Sequence, residues 1–187
     1  TKIEVEGYFS GGILIAEQME FRSNDEVRIE AAIDEVAGNT IYLLGDSGSS
    51  AGIMVNISDN TRMEMMQMDN LTTGDYVMVS GTEMPQGSDT VAATRIEQED
   101  SESTVLLQGI VDAAIASAGG FELTILGKTV SISSTATSCE GPEDESLDCA
   151  TMVASIVEGQ TIAKASGTWD AVNMILDTAN DEVSIED

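Results

Sequence analysis

Val79-Ser80-Gly81-Thr82 closes a β-type segment, and a turn and a second such segment follow it. The phrase returns as Val5-Glu6-Gly7-Tyr8 near the start and as Ala165-Ser166-Gly167-Thr168 near the end. Upstream, Val27-Arg28-Ile29-Glu30 through Asp34 lines up with Val105-Leu106-Leu107-Gln108 through Asp112. The period is roughly 75–85 residues, the size of a small β-domain rather than of one solenoid rung. The chain therefore divides into a leading hairpin over 1–24 and two complete β-barrel modules over 25–103 and 104–187. The hairpin reads as the tail of a preceding, truncated module.

Within the first module, Val27, Ile29, Ala31 and Ile33 alternate with Arg28, Glu30, Ala32 and Asp34, the period-two pattern of a half-buried strand. Ala37-Gly38-Asn39 makes a turn into Thr40–Leu44, and Gly45–Gly52 forms a flexible loop. Further strands are expected over 53–57, 75–81 and 89–97, with a short helical turn from Asp69 ended by Gly74. Thr61 to Met68 is ambiguous. The second module repeats the plan, with Phe121, Leu123 and Ile125 alternating with Glu122 and Thr124, and Val130 and Ile132 with Ser131 and Ser133. Asp148 is positioned to cap a short helix through Glu158, with Met152, Val153, Ile156 and Val157 inward and Gly159 at its end. Strands over 161–167 and 173–178 complete it.

Five or six strands per module with one short helix before the fourth predict an all-β chain of tandem OB-like barrels. The alternative is an open β-sandwich. The hairpin, with Ile13, Ile15, Met19 and Phe21 on one apolar face, is marginal by itself in water. It is expected to pack on the first module or to complete a neighbouring chain in a strand-exchanged homodimer.

Charge bounds the partners. The chain has 187 residues with 34 acidic against 7 basic, a net charge of −27. Nucleic acid is excluded as a partner, because its affinity comes from Lys and Arg neutralising phosphates, and an anionic membrane surface is disfavoured for the same reason. No apolar run approaches the ~18 residues of a membrane span. Divalent cations, a glycan or an envelope protein remain open as partners. The start at Thr1, inside a module, predicts a trimmed chain.

Leu71-x-x-Gly74-Asp75-x-Val77-x-Val79-x-Gly81, with Ala93-Thr94-x-Ile96 and the opening Val27-x-Ile29-x-x-x-Ile33, resembles a bacterial repeat family catalogued as domain of unknown function 5666. The resemblance covers nearly the whole chain. In the second module Gln160 stands where Asp75 does, one extra residue precedes Gly167, and a cysteine loop replaces the Met-rich segment. The family occurs in tandem in exported and lipid-anchored proteins. The resemblance thus implies a barrel-like module in the periplasm, outer envelope or extracellular space, and no catalytic residues.

Candidate chemistry is sparse. The chain has no histidine, which removes Ser-His-Asp and Cys-His catalysis and His-based metal sites. Carboxylate pairs could serve a glycosidase, but they are too abundant to single out, and no enzyme is expected. Cys139 and Cys149 are expected to form a disulfide, which implies an oxidising compartment. The intervening Glu140, Glu143, Asp144, Glu145 and Asp148 could supply oxygens to calcium, the one cofactor considered, although they match no EF-hand register. Met63, Met65, Met66 and Met68 offer soft thioethers of the kind that bind Cu(I). In an extended segment Met63 and Met65 would share one face; filling an irregular core is the plainer role. Trp169, after the Gly167-Thr168 turn, could stack on a ligand or lid the core. The expected function is an uncharacterised exported envelope or cell-surface repeat protein, structural or binding, with calcium binding and carbohydrate binding as alternatives.

Overall fold

The computed structural model describes residues 2–10, 13–22, 27–46, 52–65, 67, 70–142 and 145–186, with side chains from residue 27 onward. Strands β1 (Lys2–Ser10) and β2 (Ile13–Arg22) pair antiparallel in a sheet of their own. Their register shifts between Glu6 and Gly7. The apolar face expected from Ile13, Ile15, Met19 and Phe21 lies outside the described side chains.

The next strands close into a barrel. β3 (Val27–Ala37) pairs with β4 (Thr40–Leu43), and β4 with β5 (Ile53–Asn56), both antiparallel. β6 (Arg62–Glu64) stays outside the ring. β5 runs parallel to β8 (Thr90–Gln98), β8 pairs with β7 (Tyr76–Glu83), and β7 returns to β3. Closure of the ring settles barrel against open sandwich, while residues 28–30 of β3 keep one side free for pairing outside the ring. The inward residues are those the alternation selects: Ile29, Ile33, Ile41, Leu43, Val55, Val79 and Ile96 are all buried. Gly81 sits where the β7–β8 register shifts, and a Cβ there would lie 2.4 Å from the Ala92 carbonyl oxygen. The same shift at Gly7 explains why the two hairpins share a sequence phrase.

β9 (Val105–Ser117), β10 (Gly120–Ile125) and β11 (Lys128–Ser133) begin a second ring along the same path. Outside it lie β12 (Ser138–Glu140), β13 (Ser146–Leu147) and helix α1 (Cys149–Ser155). β11 runs parallel to β15 (Ile175–Asp177), β15 pairs with β14 (Ile162–Asp170), and β14 returns to β9. β16 (Glu182–Glu186), which the alternation does not single out, pairs with β14 and β12. It continues the path of β15 after a turn. Residues 178–182 separate the partners Asp177 and Val183, where only 93–95 separate Ala92 and Ile96 in unbroken β8.

Two local expectations change. The helix ends at Ser155 rather than Glu158, because Ile156 turns extended and the Val157 N–H is taken by Thr161 Oγ1. Val157 is consequently 52% exposed rather than inward. Ile33 exchanges backbone bonds with Gly74 and Asp75, and Val111 does so with Gly159 and Thr161. Thr161 therefore occupies the place of Asp75, and Gln160 is itself the extra residue. The helical turn expected in the first barrel starts at Asp69, outside the described residues.

The rings are joined edge to edge. Arg28, Ile29 and Glu30 of β3 pair antiparallel with Gln108, Leu107 and Leu106 of β9. Arg28 corresponds to Leu106, Ile29 to Leu107 and Glu30 to Gln108, so the contact has a local two-fold centred on Ile29 and Leu107, both fully buried. One continuous inward row follows the pairing from Met63 through Ile96, Val79, Ile29, Leu107, Ala165 and Val183 to Cys139. Apolar burial therefore does not stop at the boundary between the barrels.

Candidate functional site

A cluster of charged groups, with Lys128 buried and Asp34 and Asp89 exposed around it, lies where the two barrels meet. Asp34, near the middle of β3, accepts a 2.7 Å hydrogen bond from the Gly45 N–H. The Gly45 carbonyl in turn accepts the indole N–H of Trp169, from β14 of the second barrel, at 3.0 Å. One residue, Gly45, thus carries a carboxylate on its N–H and a cross-barrel contact on its carbonyl. Lys128 opens β11 after the left-handed Leu126-Gly127 turn and is only 5% exposed. Burial pushes its ammonium down, while the Asp89 and Asp34 carboxylates of the first barrel push it back up. Burial likewise raises Asp34, helped by Asp46 and opposed by the Gly45 N–H and by Lys128. Asp46 Oδ1 is buried without a hydrogen-bond partner. Asp112, the counterpart of Asp34 on β9, is also raised by burial.

Two further contacts tie the barrels. Gln86 Nε2 donates to the Gly159 carbonyl at 2.9 Å, and the Tyr76 hydroxyl donates to the Thr104 carbonyl at 2.6 Å. Burial and the nearby Glu30, Glu102 and Glu99 push that hydroxyl up to about 12, so it stays a donor at all ordinary pH.

The residues singled out from the sequence fall in several places. Cys139 and Cys149 are joined in a disulfide that ties β12 to the start of α1. Asp148 is the N-cap of α1: its carboxylate accepts from the Thr151 N–H and hydroxyl, and those bonds hold it below the usual carboxylate range. Glu140 sits on β12 opposite Ser146 and Ser184. Glu145 borders a surface hollow of about 540 Å³ with Leu147, Thr151 and Ile185. Glu143 and Asp144 lie outside the described residues. Among the described residues no three His, Cys, Asp or Glu side chains converge on a metal-sized site. Met63 packs against the core from β6, whereas Met65 has a positive φ and is 84% exposed. The strand ends at Glu64, so the face that Met63 and Met65 were expected to share is not formed. Met66 and Met68 lie outside the described residues.

Trp169 packs against the core, and its ring borders a groove of about 630 Å³ with Ser131, Thr168, Asp170, Ile175 and Asp177. Two of those carboxylates are already engaged: Asp170 accepts from the Val172 and Asn173 N–H groups, and Asp177 from Ala179.

Residues 28–97 match the family model described as Domain of unknown function (DUF5666). The resemblance read from the sequence holds over that span, which runs from β3 to the end of β8 and takes in the first closed barrel. The matched residues stop short of the second barrel. No curated protein and no solved structure matches the chain.

The junction cluster had one sequence signal, the alignment of Asp34 with Asp112. Lys128 had none, because its burial depends on a β10–β11 turn pressed against another barrel.

Proposed function

We propose that this chain belongs to an exported envelope or cell-surface protein and acts without catalysis, as a stiff structural or binding module made of two DUF5666-like barrels. The observation that carries this reading is the junction. The barrels share one sheet, a continuous buried row passes through it, and Trp169, Gln86 and Tyr76 pin it on its flanks. Inter-domain motion is the default unless the interface is large and apolar, and here fully buried Ile29 and Leu107 join the two cores at its centre. The disulfide supports an oxidising compartment, weakly.

Two measurements test the proposal. Spin labels at Ser58 on one barrel and Ala150 on the other should give a single narrow distance distribution. A broad or two-peaked distribution would refute the stiff module. In the producing cell, protease added to intact cells or to the released periplasm should reach the protein in disulfide form; recovery as a reduced cytosolic chain would refute export.

Carbohydrate binding is the second reading. The groove beside Trp169 favours it, since the indole is held at one edge and offers its ring to a sugar. Glycan-array binding lost on Trp169→Ala would support it.

A further inference from the structure

The outer face of the first barrel carries charge in two ordered rows. Following the strand pairing across β6, β8, β7 and β3, one row reads Arg62, Arg95, Ser80, Arg28. The row two residues further along reads Glu64, Glu97, Met78, Glu30. Opposed residues in a ladder share a face, and the alternate residues Met63, Ile96, Val79 and Ile29 point to the core, so the charged side chains of both rows lie on the outer face, with Met78 between Glu97 and Glu30 only 7% exposed. The arginine side chains at 28, 62 and 95 are 47%, 76% and 38% exposed. Arg62 pairs with Glu64 at 2.6 Å, Arg95 with Glu64 at 2.7 Å and with Glu97, and Arg28 with Glu30. Within the two rows the three arginines match the three glutamates, with Glu99 also close enough to act on Arg95, so most of the net charge of −27 lies elsewhere in the chain.

We propose that this charge-balanced face is a docking surface for a second copy of the same chain. Two bodies of charge −27 repel wherever their acidic surfaces meet, and this patch is where they approach without that penalty. Its pattern is self-complementary. A two-fold axis lying parallel to the rows, between them, sets the arginine row of one copy over the glutamate row of the other. Position along the row is preserved, so Arg62 meets the second copy's Glu64, Arg95 its Glu97 and Arg28 its Glu30. Each carboxylate then bridges an arginine from each copy, the isologous arrangement closed dimers use.

Exposed ion pairs contribute little one by one, so the dimer is weak and its salt dependence has a maximum. At about 0.01 M salt the Debye length of ~30 Å lets whole-molecule repulsion win; at about 0.15 M it is ~8 Å and only the face pairs remain; at about 1 M the pairs are screened as well.

Sedimentation velocity on the intact chain, carried to about 1 mM because small contacts are weak, tests this. The expected result is reversible dimerisation strongest near 0.15 M salt. Arg62→Glu, at the exposed end of β6, should raise the dissociation constant about tenfold without changing the melting temperature. The exchange Arg28→Glu with Glu30→Arg should restore pairing with itself, while mixed with the wild type it should form fewer mixed dimers than statistics allow. Three results would overturn the proposal: a monomer under every condition, association that grows steadily to 1 M salt, or dimers indifferent to Arg62→Glu.

Discussion

Ile29→Ala perturbs the first barrel and should be felt in the second. Ile29 is fully buried at the centre of the β3–β9 contact, opposite Leu107. Truncating such a side chain costs about 2–5 kcal/mol, the transfer term plus the cavity that remains. Walls contributed by two barrels have little freedom to collapse, which places the value near the middle, about 3–4 kcal/mol. With a urea m-value of about 2 kcal/mol/M for a chain of this size, the midpoint should fall by about 1.5–2 M. The assay is urea unfolding followed twice, by far-ultraviolet dichroism and by fluorescence of Trp169, the one tryptophan, which sits in the second barrel. If the buried row makes the barrels one cooperative body, both signals shift together by that amount. A fluorescence midpoint that stays within about 0.3 M of the wild type while dichroism moves would refute the reasoning, because the barrels would then be unfolding separately.

Gly81→Ala and Gly167→Ala should each destabilise strongly, since the added Cβ would meet the Ala92 or Asp177 carbonyl oxygen at 2.4 or 2.2 Å; chemical denaturation of each variant measures this. Trp169→Phe keeps the ring and removes the N–H, leaving the buried Gly45 carbonyl unpaired at a cost of about 1–3 kcal/mol, read as a lower melting temperature. Reducing Cys139–Cys149 should cost about 2–3 kcal/mol for the short loop it closes, read from melts with and without reductant. Burial raises the Asp34 carboxyl above the ordinary carboxylate range, so the fold prefers its protonated form. Its contribution is complete below the unfolded-state pKa and is lost as pH rises through the folded-state pKa. The stability of the wild type relative to Asp34→Asn should therefore decline as pH climbs from about 4 toward neutrality, and a rising difference would contradict the assignment.

The repeated phrases marked physical necessities: a carbonyl too close for any Cβ at Gly81 and Gly167, and a register shift at Gly81 and Gly7. The alternation of Val27, Ile29, Ala31 and Ile33 marked another, burial of one strand face. Both are local, so a sequence can display them. Asp148 announced its cap through the ordinary preference for a short acceptor before a helix. The strand 182–186 left no such trace, because it is the far half of a strand whose counterpart β8 is unbroken. The meeting of Asp89 and Lys128 with Asp34 left none either, beyond the alignment of Asp34 with Asp112. It depends on Arg28, Ile29 and Glu30 finding Gln108, Leu107 and Leu106, a pairing set by how two closed surfaces fit and not by any neighbour in the chain. Met65 went astray for a plainer reason: a positive φ at that residue ends the extended run the shared face required.

The two-fold character of the β3–β9 contact has an arithmetic consequence. A contact that maps onto itself is satisfied by two members and offers nothing to a third. Each barrel owns one such stretch of first strand, and both stretches are consumed here. A longer string of these barrels would therefore count in couples: rigid pairs alternating with joints of some other make, and any unpaired barrel left with its first strand seeking a mate.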